Sequence, residues 1–98
     1  MKLFGKRFPF ADSPDTMCFT CSHVLNDKEP VLYISHDEDG CWQFLCGRSH
    51  TEDEARIVSL AEIIEIDRSV AKFADLKCGE YAEADIETGE WHFGKKSN

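Results

Sequence analysis

The segment 30–47, PVLYISHDEDGCWQFLCG, most constrains the fold, because two apolar runs face each other across a short acidic turn. Residues 31–36 and 41–46 are rich in the β-branched and aromatic side chains that suit a pleated sheet. Between them, Asp39 and Gly40 form the Asp-Gly pair that tight hairpin turns favour. The segment therefore predicts a β-hairpin that anchors a small fold.

Two further segments predict the rest of the sheet. Residues 17–25 have the composition of a strand, and the turn at 26–30 leads from them into the hairpin. Three strands in meander order are the simplest arrangement of this part of the chain. Residues 81–86 and 90–93 flank a Glu-Thr-Gly turn, which predicts a second, C-terminal hairpin.

Two short helices are predicted between the meander and the C-terminal hairpin. Ser59 and Glu62, three residues apart, form a capping box that begins a helix over 60–66. Asp67 is placed to cap a second short helix. The sequence thus predicts an α+β fold, with an antiparallel sheet and two short helices inserted between its halves.

A chain of 98 residues predicts one domain, with enough length to bury a single core. Pro9 and Pro14 interrupt residues 1–16, which are interpreted as an extended N-terminal lead-in. The domain itself is predicted over 17–94, and 95–98 form a short basic tail.

The charge of the chain is unevenly distributed. Residues 11–94 contain 6 basic and all 19 acidic residues, a net charge of −13. An acidic body of this kind repels phosphate backbones, which argues against nucleic-acid binding. It favours a basic protein as partner, although such a charge also simply improves solubility.

The sequence predicts a cytoplasmic protein. The first ten residues are basic but lack the apolar run of a signal peptide, and no stretch approaches the length of a membrane span. The five cysteines cannot all pair internally, because their number is odd. A reducing compartment, where thiols stay free, is therefore expected.

Cysteine and histidine residues supply the only metal-ligand pattern that we retain. Cys18 and Cys21 form a C-x-x-C pair, but on a strand their side chains point to opposite faces. A different set, Cys21, His23, Cys46 and His50, offers four ligands of the types that tetrahedral zinc prefers. Packed, metal-free thiols are the alternative interpretation, because free cysteines are among the most buried residues.

Enzymatic activity has little support in the sequence. The chain contains no nucleophile elbow, phosphate-binding glycine loop or zinc-protease motif. A nucleophilic pair of Cys21 or Cys46 with His23 or His50 is the one catalytic alternative left open. Cys41 and Cys78 are interpreted as structural, and Cys78 is expected to pack inward.

The hairpin tip and one aromatic residue are the candidate partner-binding residues. Asp37, Glu38 and Asp39 do not fit a calcium-binding loop, because the position of its bidentate glutamate is occupied by Cys46. They are interpreted as a solvated tip or as an acidic contact for a basic partner. Trp91, near the C-terminal edge, is the candidate for an exposed recognition aromatic.

The runs HDEDGCWQF at 36–44, SLAEIIEID at 59–67 and GEW at 89–91 resemble a family of small bacterial domains of unknown function. Members of that family have been grouped with the immunity proteins of polymorphic toxin systems. The resemblance covers residues 17–93 and carries over no catalytic residues. It implies a non-enzymatic binding protein that blocks a toxin. The acidic body of this chain is compatible with masking a basic, nuclease-like toxin. Zinc binding is retained as the alternative function, and a small cysteine-dependent enzyme as the second alternative.

Overall fold

The computed structural model describes residues 8–47 and 51–96. Six strands form one sheet in the order β4-β1-β3-β2-β5-β6. The strands are β1 Met17–Cys21, β2 Tyr33–His36, β3 Trp42–Leu45, β4 Ala55–Ser59, β5 Glu80–Ala84 and β6 Trp91–Lys95. Two α-helices, α1 Ser22–Leu25 and α2 Leu60–Ile66, and two 3-10 helices, Glu52–Glu54 and Arg68–Phe73, complete the described elements. No helix of residues 8–47 and 51–96 is long and apolar enough to cross a membrane.

The sheet is mixed, and the prediction of a purely antiparallel sheet with an N-terminal meander was wrong. β1 pairs with β3 in parallel, with Thr20 opposite Phe44, while every other pair is antiparallel. The predicted strand 17–25 ends at Cys21, where the chain turns into α1. Val24 of α1 is completely buried, so burial of this side chain outweighs the strand propensity of the segment.

Local turn and capping chemistry was predicted correctly. β2 and β3 form the expected hairpin, and Gly40 adopts a φ of +94° at its tip, a conformation that glycine tolerates. β5 and β6 form the second hairpin. The side chain of Ser59 accepts a hydrogen bond from the Glu62 backbone, and the Glu62 carboxylate accepts one from the Ser59 backbone. The second predicted helix is the 3-10 helix Arg68–Phe73, which Asp67 caps.

The core lies between one face of the sheet and the helices that follow β4. Ile34, Phe44 and Ala82 occupy neighbouring positions on that face and are fully buried. Leu60 and Ile63 of α2 are buried in the same cluster. Phe10, from the segment before β1, belongs to it as well and packs edge-on against Trp42 with 4.8 Å between ring centroids. The helical layer therefore covers this face.

The other face of the sheet is more exposed at its β1–β4 end. Met17, Phe19 and Ile57 are 60%, 41% and 62% exposed, respectively, and Phe19 lies directly opposite Ile57. We call these three residues the open face. β4 is an edge strand of the sheet, so one side of its backbone has no neighbouring strand among the described residues.

Candidate metal centre

Three potential metal ligands converge where the carboxyl ends of β1 and β3 meet: Cys21, His23 and Cys46. Each offers one ligand atom, and the three atoms lie within 4.8 Å of one another. Cys21 ends β1, His23 lies in α1, and Cys46 follows β3. Because β1 and β3 run parallel, their carboxyl ends meet at the same edge, which brings together residues 25 positions apart in the sequence.

The imidazole of His23 lies between a thiol and a carboxylate. Its Nδ1 is 3.4 Å from Cys46 Sγ, and its Nε2 is 3.0 Å from Glu54 Oε2. A carboxylate only accepts hydrogen bonds, so Nε2 carries a proton and Nδ1 presents its lone pair to the sulfur when the ring is neutral. Glu54 ends the 3-10 helix that precedes β4, and the pairing of Ala55 with Cys21 holds it at this edge.

These dimensions suit a tetrahedral zinc ion. Zn–S and Zn–N bonds of about 2.3 Å and 2.0 Å place a thiolate and an imidazole ligand about 3.5 Å apart. The observed separation of 3.4 Å between Cys46 Sγ and His23 Nδ1 matches that value. The contact between Glu54 and His23 reproduces the carboxylate–histidine arrangement that fixes the tautomer of histidine ligands in zinc sites.

Both thiols of the candidate centre are shielded from solvent. Cys21 and Cys46 are only 1% and 2% exposed, respectively, whereas His23 is half-buried. A cavity of about 330 Å³ lies beside Cys21 and is lined by Phe19, Thr51 and Ala55 among others. Phe19 of the open face and Cys21 both line this cavity, so the candidate centre and that face are neighbours.

The sequence named three of the converging residues, but for the wrong reason. Cys21 and His23 were both predicted within the strand 17–25, whereas His23 lies in α1. His50, the fourth predicted ligand, lies outside the described residues. Cys18 is buried apart from this group, and burial and the nearby charge of Glu62 raise the pKa of its thiol to about 12. Glu54 was missed, because nothing in the sequence relates it to His23.

The acidic hairpin tip contains one carboxylate that is hydrogen-bonded within the fold and two that are exposed. Asp37 accepts hydrogen bonds from Lys96 Nζ at 2.6 Å, Gln43 at 2.8 Å and Ser35 at 3.2 Å. Partial burial acts to raise the pKa of Asp37, but these hydrogen bonds outweigh it and hold the pKa below its ordinary value. Glu38 and Asp39 are exposed, and their role in partner binding stays a prediction.

Trp91 is half-buried. Its ring packs against Phe73 with 4.4 Å between centroids, so one of its faces belongs to the packing of the helical layer. Phe93, two residues further along β6, is the more exposed aromatic, at 64%. A recognition role for Trp91 stays a prediction.

A second Cys–His contact lies beside the hairpin tip and involves His36, the last residue of β2. Cys78 was expected to pack inward, but it is exposed, in the turn between the 3-10 helix Arg68–Phe73 and β5. Its Sγ is 3.8 Å from Nε2 of His36. The two residues are 42 positions apart, and no local motif connects them.

Comparisons of the chain with protein-family models, with curated proteins and with solved structures find no significant match.

Proposed function

We propose that this protein is a small binding domain whose fold is completed by a structural zinc ion held by Cys21, His23 and Cys46. The convergence of two thiols and an imidazole within 4.8 Å carries this proposal. Zinc binds both sulfur and nitrogen ligands, and a set with two cysteines is typical of structural sites. His50, four positions after Cys46, is the candidate for the fourth ligand.

A structural role is favoured over a catalytic one by burial. Catalytic zinc sites keep one coordination position open to water or substrate, whereas structural sites are closed by four protein ligands. The two thiols are almost fully buried, one at the end of β1 and one just after β3, and His23 lies in α1. An ion bound there links the β1–α1 segment to the residue after β3, which lies more than 20 positions later in the sequence, so its binding free energy adds to the stability of the fold.

The same geometry supports a cysteine nucleophile less well. Cys46, His23 and Glu54 form a row of thiol, imidazole and carboxylate, which is the arrangement of a nucleophile, its base and the group that orients the base. A nucleophile must meet its substrate, however, and Cys46 is only 2% exposed. The presence of Cys21 in the same cluster is explained by metal binding and has no part in a Cys–His nucleophile.

The proposal is tested by native mass spectrometry and thermal melting of reduced protein, before and after chelation. We expect one zinc ion per chain, and we expect chelation to lower the melting temperature by about 10 °C or more. A metal-free protein that does not bind added zinc, or a melting temperature that chelator leaves unchanged, would contradict the proposal.

Variants separate the metal from general effects of losing a thiol. Cys46→Ser should lose the ion and become insensitive to chelator. Cys41→Ser is the matched control, because Cys41 is outside the converging group, and this variant should bind zinc like the original chain. His50→Ala tests the fourth ligand: weaker zinc binding supports a closed site, whereas unchanged binding argues against His50 as a ligand.

Binding of a basic protein is the second function that we propose, supported by the apolar open face on an acidic chain. Met17, Phe19 and Ile57 expose apolar side chains beside an edge strand, and the net charge of −8 favours a basic partner. The test is binding to a panel of immobilised basic nucleases. Loss of binding in Phe19→Ser/Ile57→Ser, but not in Glu38→Gln/Asp39→Asn, would support the open face. The reverse pattern, or no binding at all, would contradict it.

A further inference from the structure

The turn between the 3-10 helix Arg68–Phe73 and β5 is bound to His36 at two points, one on each side of Cys78. The carbonyl of Leu76 lies 2.8 Å from His36 Nδ1. The backbone N–H of Gly79 donates a 2.6 Å hydrogen bond to the carbonyl of His36. Cys78 lies between these two contacts in the sequence, so its position relative to the imidazole is fixed by the main chain.

The partner of Nδ1 determines which nitrogen of His36 is basic. A backbone carbonyl only accepts hydrogen bonds, so Nδ1 carries the proton. In the neutral ring, Nε2 then presents its lone pair, and this is the atom that lies 3.8 Å from Cys78 Sγ. The ring is also stacked on Trp42, with 3.9 Å between centroids and 11° between planes, which restricts its rotation.

Cys78 differs from the other four cysteines in its access to solvent. Cys18, Cys21 and Cys46 are buried, and Cys41 is partly buried. The pKa of the Cys41 thiol is raised by desolvation and by the hydrogen bond and charge of Asp39. Cys78 is the one exposed cysteine of the five, and it faces a basic nitrogen.

A depression of about 310 Å³ lies on the same side of the sheet. It is lined by Leu76, Glu80, Phe93, Gly94 and Lys95. Glu80 is the direct cross-strand neighbour of His36, and Lys95 is the neighbour of Glu80. Side chains directly opposite each other on adjacent strands are about 5 Å apart at Cβ, so the depression begins one strand away from the imidazole. Its volume is within the range of small-molecule sites.

We propose that Cys78 is a nucleophilic thiol that exchanges with low-molecular-weight disulfides, with His36 as the base that accepts its proton. An oriented base beside an exposed thiol is the arrangement that activates a nucleophile. Nothing in this inference depends on the metal centre, since neither residue belongs to it.

The exchange balances without a further reactant. The proton of Cys78 moves to His36 Nε2, and the thiolate attacks one sulfur of the small disulfide. A new S–S bond to Cys78 forms as the original S–S bond breaks, and the departing thiolate takes the proton from His36. The sulfur of Cys78 is oxidised and the departing sulfur is reduced, so the products are a mixed disulfide on Cys78 and one small thiol.

The test measures the reaction of the folded, reduced chain with 5,5′-dithiobis(2-nitrobenzoate), followed by the absorbance of the released thiolate. We expect one rapidly reacting thiol, absent in Cys78→Ser. It should react at least about tenfold faster than the same cysteine in a synthetic peptide of residues 74–82, which lacks the imidazole. A rapid thiol that survives in Cys78→Ser, or a rate equal to that of the peptide, would overturn the proposal.

His36→Phe tests the base itself. Phenylalanine retains an aromatic ring to stack on Trp42 but has no nitrogen, so the rate should fall to about that of the peptide. His92→Phe is the matched control, because His92 is exposed on β6, and its rate should stay at that of the original chain. An unchanged rate in His36→Phe would overturn the role of the imidazole. If that variant does not fold, the ratio of original chain to peptide still decides whether Cys78 is activated.

Discussion

The two Cys–His contacts found within residues 8–47 and 51–96 join the same kinds of side chain but have different surroundings. Cys46 lies 3.4 Å from His23 in a buried site that also contains a second thiol, Cys21. Cys78 lies 3.8 Å from His36 at the surface. The buried contact thus has the donor set of a metal centre, whereas the exposed one has the access that a reactive thiol requires.

The two histidine rings also differ in the partner of the nitrogen that faces away from the sulfur. The carboxylate of Glu54 accepts from Nε2 of His23, while the carbonyl of Leu76 accepts from Nδ1 of His36. The two imidazoles therefore present opposite nitrogens to their sulfurs. The negative charge of Glu54 raises the basicity of a ligand nitrogen, whereas the neutral carbonyl mainly holds the ring in position. Distance between sulfur and nitrogen alone does not determine what such a contact does.

The largest effect should come from Glu54→Gln. An amide in place of the carboxylate weakens the support of His23, so we expect the dissociation constant for zinc to rise about 10- to 100-fold. The reaction rate of Cys78 should not change, because Glu54 belongs only to the buried site. Competition with a chromophoric chelator measures the first quantity. Equal zinc affinity in the variant and the original chain would remove the distinction between the two histidine environments.

An intermediate effect is expected from Asp37→Asn, which acts on the exposed site alone. Asp37 directly follows His36, and its partner Lys96 donates a backbone hydrogen bond to Gly79, which directly follows Cys78. Loss of the contact between Asp37 and Lys96 should destabilise the chain at pH 7 by about 1–2 kcal/mol, less than a buried hydrogen bond to a charged group contributes, because the Lys96 side chain is 36% exposed and solvent screens the pair. It should also slow the reaction of Cys78 while leaving zinc affinity unchanged.

The pH dependence of the contact between Asp37 and Lys96 follows from the pKa shifts of these two groups. The lowered pKa of Asp37 makes its contribution present above the ordinary value of 3.8 and lost as the pH falls through its folded pKa. The hydrogen bond with Asp37 raises the pKa of Lys96, so its contribution is present below the ordinary value of 10.5 and lost as the pH rises through its folded pKa. Urea unfolding should therefore separate the variant from the original chain mainly between these limits. A difference that persists undiminished at pH 2 would contradict the assignment.

The smallest predicted difference is which ring nitrogen of each histidine carries the proton, and it involves no change in stability. Long-range ¹H–¹⁵N spectra of the neutral rings should show a proton on Nε2 of His23 and on Nδ1 of His36. Each assignment follows from a partner that can only accept. The same tautomer at both residues would show that one of the two environments is not as described.

The features predicted correctly from the sequence are those encoded within a few residues. Asp39 and Gly40 specify the first hairpin, and Ser59 and Glu62 specify the start of α2. The end of β1 at Cys21 was not predictable in this way, because α1 depends on the burial of Val24 by the rest of the fold. The same is true of the parallel pairing of β1 with β3, which no local signal specifies.

The candidate site likewise combines features that the sequence predicts with features that depend on long-range contacts. Residue type together with spacing selected Cys21, His23 and Cys46, although His23 lies in α1 and not on the predicted strand. Glu54 and the contact between His36 and Cys78 depend on strand pairing and turn geometry, so composition and spacing do not reveal them. Long-range contacts of this kind cannot be inferred from local sequence patterns.

The parallel pairing of β1 and β3 also bears on how the chain reaches its native state. The two hairpins close over short segments, whereas β1 must find β3 across a longer loop, and such non-local pairings form slowly. A slip of one residue would turn each side chain of a strand toward the opposite face. Cys21 and Cys46 would then no longer converge, so an ion bound by both thiols is compatible only with the correct alignment. During folding, metal would thus select against misaligned intermediates, in addition to stabilising the finished structure.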